Sequence, residues 1–273
     1  MDEGIRAAAP GVSVTACAHG GHLLTWTTNG VERLWMSPLS ECSGGGAIRG
    51  GVPVLFPQFG TFGGLPKHGF ARTRAWHLLE SPGLPGLAVL RFELAHDDET
   101  LAIWPHEFRA RLELAASPTE LRMRLVVDNL GHQLAEFTAG LHTYLRVADP
   151  QAWISGVMGG KVWDGQSVSD PQFTQPIGPT VAALAEQDLV MHGVVAPLEL
   201  HDGQLGVLRV SAQGFPNRVI WNPGPDHGLP DVPPGGAAGF VCIEPAAVTP
   251  IRVPGGGTWE GSQRLTVVAA PEA

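Results

Sequence analysis

Apolar and polar residues alternate along two neighbouring segments of the chain. In 108–114 and again in 121–127, apolar side chains occupy every second position, with arginine and glutamate common in between. Ser117-Pro118 separates the two segments. An alternation of period two sends successive side chains to opposite faces of a strand, so both segments are predicted to be half-buried antiparallel strands.

Short apolar runs and turn signals recur along most of the sequence. Asn29-Gly30 lies within 22–38, and this dipeptide suits the positive φ angles of a tight hairpin turn. Further short runs, separated by Gly, Pro and Asn, lie at 87–94, 205–210, 218–221, 240–243 and 265–268. The segment 181–191 is short and lacks a clear cap or a clean apolar face, so it stays unassigned. The pattern is that of an all-β protein.

The length of the chain fits a single large β-domain. A chain of 273 residues is long enough to bury a sizeable core, and β-sandwiches of this size are common as one domain. No repeat of fixed period occurs, and 230–239 resembles a loop more than a domain linker. We therefore expect one domain over residues 1–273.

Composition and charge restrict the class of partner. Hydrophobic residues make up 44% of the chain and charged residues 16%, which is typical of a folded protein despite 36 Gly and 24 Pro. The net charge of −9, without a run of five or more basic residues, opposes nucleic-acid binding. A small anion remains possible, because a few local arginines can form a positive pocket on an acidic protein.

Cysteine usage and the N-terminus point to a reduced compartment. The three cysteines have no CxxC spacing and the histidines form no metal-binding pattern, so neither a disulfide framework nor a metal site is indicated. No basic stretch followed by an apolar segment opens the chain, and no apolar run approaches the roughly 18 residues of a membrane span. We expect a soluble, cytoplasmic protein that does not bind membranes.

A glycine-rich segment between 43 and 76 is the richest in candidate chemistry. Glycines allow a backbone to approach a ligand closely, and Arg49 and Arg72 could offer forked donors to phosphate oxygens. No Gly-Lys-Ser/Thr ends the glycine run, which excludes a P-loop. From these residue types alone, a tight turn with solvated arginines remains an alternative.

Six ordered motifs resemble one enzyme family. They are IRGGVP at 48–53, FPQFG at 56–60, HGFAR at 68–72, GLHTYLRV at 140–147, WNPG at 221–224 and CIEPA at 242–246. Together they span most of the chain, and several motifs in order are far more specific than any one of them. The sequence resembles the hexose-6-phosphate mutarotases, relatives of galactose mutarotase in the aldose 1-epimerase class.

This resemblance implies a large antiparallel β-sandwich and an acid/base mechanism. In similar proteins, the histidine that matches His142 protonates the sugar ring oxygen, and the glutamate that matches Glu244 is the general base. The sugar ring opens, the bond to the aldehyde carbon rotates, and reclosure gives the other anomer. Neither a metal nor an organic cofactor is required.

The resemblance also implies a set of substrate-binding residues. Arg49 and Arg72 would select a phosphorylated hexose such as glucose 6-phosphate. His68 would bind sugar hydroxyls, Gln58 would position the substrate, and Asp188 would accept hydrogen bonds from ring hydroxyls. The residues after Asp188 depart from the basic and aromatic pair that is usual in the family.

The residue types themselves leave simpler interpretations open. A lone histidine such as His142 is often a satisfied core group, Glu244 could be a solvated carboxylate at a strand end, and Asp188 a loop residue. Two alternative functions also remain: a free-aldose 1-epimerase, or a sugar-phosphate-binding module without catalysis. We expect a monomer that acts on a small sugar phosphate.

Overall fold

The computed structural model describes residues 4–42, 45–81, 83–158, 161–163, 178–194 and 196–269. Within these ranges the chain is built almost entirely of strands. In chain order they are β1 Ile5–Ala9, β2 Val12–Cys17, β3 His22–Thr28, β4 Val31–Glu32, β5 Val54–Leu55, β6 His77–Leu79, β7 Ala88–Ala95, β8 Phe108–Ala116, β9 Glu120–Asn129, β10 Ala135–Leu141, β11 Tyr144–Arg146, β12 Trp153–Ser155, β13 Lys161–Val162, β14 Thr180–Ala182, β15 Gln187–His192, β16 Leu198–Asp202, β17 Gly206–Gln213, β18 Asn217–Asn222, β19 Phe240–Val253 and β20 Thr258–Ala269.

Helical structure is confined to short pieces. The α-helix α1 spans Asp98–Ile103, and its N-terminus is closed by a capping box in which Asp97 and Thr100 each bond the other's backbone N–H. Two 3₁₀ turns lie at Ala71–Thr73 and Gly236–Gly239. No helix among the described residues combines the length and the apolar character needed to cross a membrane.

The strands form three sheets, and every pairing between them is antiparallel. A small sheet has the order β1-β2-β3-β4. A seven-stranded sheet has the order β13-β15-β18-β19-β10-β5, with β11 also paired to β19. A nine-stranded sheet has the order β14-β12-β16-β17-β20-β9-β8-β7-β6. The prediction of an all-β, antiparallel architecture is confirmed.

The period-two segments behave as their patterns predict. In β8 the side chains alternate between buried and more exposed positions from Phe108 to Ala116, and β8 pairs with β9 along its whole length. The hairpin turn is also confirmed, since Asn29 and Gly30 have φ angles of 49° and 82° between the paired residues Thr28 and Val31. The unassigned segment 181–191 contains the end of β14 and most of β15.

The main core lies between the two large sheets. Leu112, Leu125 and Leu265 of the nine-stranded sheet belong to the same buried cluster as Ile220 and Ile243 of the seven-stranded sheet. The neighbours of these last two, Val219 in β18 and Cys242 in β19, fall into separate clusters on the other face. The seven-stranded sheet therefore presents a second, partly covered face, away from the main core.

Candidate active site

The register of the seven-stranded sheet collects polar side chains on this second face. Asp188 of β15 is opposite Trp221 of β18, Trp221 is opposite Cys242 of β19, and Cys242 is opposite Tyr144 of β11. Glu244 lies two residues beyond Cys242 and so points to the same side, because strand side chains alternate. Asp188, Trp221, Cys242 and Tyr144 thus form one row across the sheet. Glu244 lies on the same face, in the next row.

Asp188, Trp221 and Glu244 line a cleft of about 250 Å³, which we call the candidate cleft. Its charged and titratable lining consists of Arg49, Lys67, His68, His142, Asp188 and Glu244. Its apolar lining consists of Phe59, Phe62, Val190, Val219, Trp221 and Leu229. A wider, open recess of about 650 Å³ shares Asp188, Trp221 and Leu229 with the cleft. The cleft combines apolar walls with a few convergent polar groups, as small-molecule sites do.

His142 is held rigidly at the end of β10. Its backbone N–H donates to the carbonyl oxygen of Pro53 at 3.0 Å. Its ring lies flat on the ring of Tyr144, with centroids 4.7 Å apart and planes 7° apart, and the Trp221 ring meets it edge-on at 5.5 Å. The Nδ1 atom of His142 lies 3.4 Å from Oε1 of Glu244. A nitrogen base and a carboxylate therefore stand side by side in the cleft.

Burial pushes the pKa values of these two groups in opposite directions. Burial lowers the pKa of His142 well below its usual range, and the electrostatic influence of the neighbouring His68, Arg49 and Arg72 acts in the same direction. Burial raises the pKa of Glu244 well above its usual range, and Asp188 adds to this effect. Within the described residues, neither His142 Nδ1 nor Glu244 Oε2 has a hydrogen-bond partner. Buried, unpaired titratable groups in a cleft are typical of acid/base chemistry.

Arg49 and Lys67 line the cleft with His68, and Arg72 lies close enough that all three cations lower the pKa of His68; we call this region the cationic end of the cleft. Arg49 donates from Nε to Oδ2 of Asp231 at 3.0 Å and from Nη1 to the Tyr144 hydroxyl at 2.8 Å. Arg72 donates from Nη2 to the carbonyl oxygen of Lys67 at 3.2 Å, while its buried Nε has no partner among the described residues. Guanidinium N–H groups left over from such contacts are suited to a phosphate.

The loop between residues 58 and 69 forms one wall of the cleft. The Gln58 amide accepts from the N–H of Leu65 at 3.0 Å and donates to the carbonyl oxygen of Leu65 at 2.8 Å. His68 has a φ of 66°, and its Nδ1 accepts from the N–H of Gly60 at 3.1 Å, which leaves the proton on Nε2. Burial, with Arg72, Lys67 and Arg49 nearby, lowers the pKa of His68 to about 3. His68 is therefore a neutral hydrogen-bond donor.

The glycines of the IRGGVP motif serve packing between backbones. Gly50 has a φ of 104° and Gly51 a φ of 57°. A Cβ atom at Gly50 would collide with the carbonyl oxygen of Trp35, and one at Gly51 with that of Leu23. The expectation that these glycines approach a ligand is wrong for Gly50 and Gly51, because their close neighbours are backbone atoms of the protein itself.

One set of potential metal ligands occurs in the described part of the chain. Ligand atoms of His142, Cys242 and Glu244 lie within 4.8 Å of one another. Burial raises the pKa of the Cys242 thiol well above 9.0, so the thiol is protonated at neutral pH and is a poor metal ligand. We assign this group no metal.

The structure places the predicted site residues in three ways. Five of them line the cleft: Arg49, His68, His142, Asp188 and Glu244. Arg72 is not part of the cleft lining, but it is near enough for its charge to lower the pKa values of His68 and His142. Gln58 contacts the loop backbone, so its direct contact with substrate stays a prediction. The sequence reasoning missed Lys67, Tyr144 and Asp231, for which only neighbouring motifs gave a signal.

Residues 5–266 match the family Aldose 1-epimerase, and this chain belongs to that family. Curated relatives named "Putative glucose-6-phosphate 1-epimerase" include a protein of Escherichia coli (strain K12), which is 34% identical over 249 residues, or 87% of this chain and 80% of the relative. A protein of the same name from Cenchrus ciliaris is 32% identical over 269 residues, or 93% of this chain and 80% of the relative.

Solved structures show the same fold. The crystal structure of a Salmonella typhimurium protein named a "putative mutarotase" has a TM-score of 0.86 at 28% identity and covers 100% of this chain and 92% of its own. The galactose 1-epimerase of Lactobacillus acidophilus NCFM has a TM-score of 0.69 at 12% identity and covers 95% of this chain and 92% of its own. The galactose mutarotase-like sandwich expected from the sequence is confirmed.

Proposed function

We propose that this protein is a hexose-6-phosphate mutarotase that interconverts the α and β anomers of a sugar such as glucose 6-phosphate. The observation that carries the proposal is the pair of His142 and Glu244, whose Nδ1 and Oε1 atoms lie 3.4 Å apart in a cleft with cations at one end. The family and the relatives' names support the same reaction class.

In the proposed mechanism, the two buried groups move protons in a concerted way. The Glu244 carboxylate takes the proton of the C1 hydroxyl while protonated His142 gives a proton to the ring oxygen. The bond between C1 and the ring oxygen breaks, C1 becomes an aldehyde carbon, and rotation followed by the reverse transfers yields the other anomer. A carboxylate with a raised pKa is a stronger base, and an imidazolium with a lowered pKa is a stronger acid.

The remaining cleft residues would bind and orient the sugar. Asp188 would accept hydrogen bonds from ring hydroxyls, and the Nε2–H of His68 would donate one. Arg49, Lys67 and Arg72 would hold the phosphate, because their charges converge on one end of the cleft. Gln58 would act through the loop that its amide fixes. This acid/base chemistry requires no cofactor.

A free-aldose 1-epimerase is the second candidate function. It would use the same acid and base, but it would leave the cationic end of the cleft without a ligand. A buried guanidinium N–H that has no partner among the described residues, such as Nε–H of Arg72, favours an anionic substrate. A sugar-phosphate-binding module would need the cations but not the acid/base pair.

Anomer exchange measured by NMR magnetisation transfer on glucose 6-phosphate tests the reaction. Glu244→Gln and His142→Asn should each slow the enzyme-dependent exchange by about 100-fold or more, the usual contribution of a general acid or base. Glu260→Gln makes the same chemical change to an exposed, paired carboxylate and should leave the rate unchanged. Wild-type rates from both catalytic variants, with folding verified by circular dichroism, would overturn these roles.

The same assay on glucose and glucose 6-phosphate tests the substrate class. We expect a higher kcat/KM for the phosphorylated sugar and a loss of this preference in Arg72→Ala and Lys67→Ala. A preference that survives both changes would remove the phosphate site proposed here. Tight binding of glucose 6-phosphate without any acceleration of exchange would identify a binding module instead.

We also propose that the chain is a single domain that works as a monomer in the cytoplasm. One buried cluster draws residues from all three sheets, which supports a single domain. No disulfide joins Cys17, Cys42 and Cys242 in the described part of the chain, which fits a reducing compartment. The net charge of −9 disfavours nucleic acid as a partner. Light scattering coupled to gel filtration tests the monomer directly.

A further inference from the structure

Tyr144 stands between the cationic end of the cleft and the proposed acid. It is the only tyrosine of the chain. One face of its ring lies on the ring of His142, with centroids 4.7 Å apart and planes 7° apart. Trp35 and Phe240 pack around the same ring at 6.0 and 5.1 Å, and the side chain is 1% exposed. The tyrosine is therefore tightly packed, so a small displacement of its ring would be passed to the ring of His142.

The tyrosine hydroxyl points away from the acid and toward Arg49. Arg49 Nη1 donates to this hydroxyl at 2.8 Å, and Arg49 Nε donates to Asp231 at 3.0 Å. These two bonds use two of the five N–H groups of a guanidinium, so three remain for an anion. Arg49 is therefore held by the Asp231 carboxylate and the Tyr144 hydroxyl. Its remaining N–H groups are available to the cleft that it lines.

We propose that Tyr144 is a positioning and specificity-determining residue that links the phosphate held by Arg49 to the ring of His142, so that phosphate binding speeds ring opening as well as strengthening binding. The inference rests on the proposed function, because it assumes that His142 is the acid and that Arg49 holds the phosphate. It adds a physical connection between the two sites and predicts that the phosphate acts on kcat.

Two physical effects make this connection effective. An anion that binds Arg49 fixes its guanidinium, and the hydrogen bond passes this restraint to the phenol ring and on to the flat stack with His142. The same anion offsets the positive charges of Arg49 and Arg72, which help to lower the pKa of His142, so protonated His142 becomes easier to form. Both effects are largest when the phosphate is in place.

Tyr144 is not itself a proton carrier in this scheme. Its hydroxyl accepts from Arg49 and its ring, not its hydroxyl, faces His142. Burial raises its pKa well above 10.0, with the nearby Cys242 and Glu244 acting in the same direction. Tyr144 therefore stays a neutral phenol, which can hold the His142 ring in position without exchanging a proton with it.

The connection between the phosphate and His142 is tested by supplying the substrate as two separate molecules, a sugar and a phosphate analogue. Xylose is the pyranose lacking the C6 arm, and phosphite dianion supplies the missing charge. At saturating xylose, phosphite should raise the enzyme-dependent kcat for anomer exchange of the wild type by about tenfold, the scale of one hydrogen bond to a charged group. Exchange catalysed by phosphite without enzyme is measured in parallel and subtracted.

Tyr144→Phe keeps the ring stack and removes the bond to Arg49, so this stimulation should fall to below about twofold. Arg49→Lys, which keeps the charge but not the fork, should have the same effect, and the double variant should be no worse than either single one. Full stimulation in Tyr144→Phe, or additive losses in the double variant, would overturn the inference. Wild-type protein that does not catalyse exchange of glucose 6-phosphate would instead refute the proposed function.

A second test is spectroscopic, and it requires neither catalytic activity nor the Tyr144→Phe variant. Because Tyr144 is the only tyrosine, 3-fluorotyrosine labelling gives a single ¹⁹F resonance from this position. Phosphite should shift this resonance in the wild type, in a saturable way, and should not shift it in Arg49→Lys. A resonance that phosphite leaves unmoved in the wild type would show that the phosphate end does not reach Tyr144.

Discussion

The outer faces of the two large sheets both carry glutamates, but the surroundings of these glutamates differ. On the nine-stranded sheet, Arg124 donates to both carboxylate oxygens of Glu260 at 2.7 and 2.6 Å, and the Glu260 side chain is 43% exposed. On the seven-stranded sheet, the Glu244 side chain is 2% exposed and its Oε2 has no partner among the described residues. The first carboxylate is exposed and bound by an arginine, whereas the second is buried beside His142.

This contrast shows that burial and ion pairing, more than residue type, set the proton affinity of a carboxylate. Hydrogen bonds from Arg124 lower the pKa of Glu260, which fixes it as an anion. Burial raises the pKa of Glu244, which makes its carboxylate a stronger base than an exposed one. Because strand side chains alternate, each large sheet has an outer face as well as a core face. Of the two outer faces, the loop 58–69 covers only that of the seven-stranded sheet.

The largest expected effect is on activity. Glu244→Gln should reduce kcat/KM for glucose 6-phosphate by about 100-fold or more, whereas Glu260→Gln should change it by less than about twofold. The reason is that only the first change removes the proposed base from the candidate cleft. Equal losses in the two variants, measured by the same exchange assay, would abolish the distinction between the faces.

A smaller effect of opposite sign is expected on stability. The folded-state pKa of Glu244 is raised, so the stability that this group contributes is full at low pH and is lost as pH rises through that pKa. Glu244→Gln cannot ionise and should become more stable than the wild type by about 1 to 3 kcal/mol on the alkaline side. Urea unfolding at a series of pH values measures this difference, and a variant less stable than the wild type at every pH would contradict it.

The pH profile should respond to Asp188. Its negative charge contributes to the raised pKa of Glu244, so Asp188→Asn should lower that pKa. The acid limb of the profile of kcat/KM against pH should then move to lower pH, even if the maximum falls because a sugar contact is lost. An acid limb that stays in place, or moves to higher pH, would mean that the two carboxylates do not interact.

The smallest expected effect concerns the paired face. Arg124→Gln should lower the free energy of unfolding by less than about 1 kcal/mol, because exposed ion pairs gain little in water. Raising the salt concentration should shrink this difference further. A larger loss in thermal or urea unfolding would show that the ion pairs of this face act as a network and not as single contacts.

Much of the fold is predictable because local patterns determine it. The segments 108–114 and 121–127 became β8 and β9, and the Asn29-Gly30 turn joins β3 to β4, since side-chain alternation and turn preferences depend on neighbouring residues. The segment 181–191 escaped assignment because β15 is defined by pairing with β18, not by its own pattern.

The site was predictable only in part, for the same reason. His142 and Glu244 were found through the motifs that contain them, but their 3.4 Å approach follows from long-range pairing of β10 and β19. Tyr144 lies in the same motif as His142, yet nothing in the string GLHTYLRV shows that its hydroxyl meets Arg49. Likewise, no local signal joins Asp231 to Arg49.

The position of β19 in the seven-stranded sheet has a consequence for how the protein is made. β19 carries Glu244, pairs with β10, β11 and β18, and lies near the end of the chain, whereas His142 follows β10 near the middle. Contacts of such long sequence separation form slowly, because a large loop must close before they are gained. His142 and Glu244 are therefore brought together only when β19 enters the sheet. Recovery of activity during refolding should consequently report the completion of folding, and a chain shortened before β19 should lack Glu244, the proposed base.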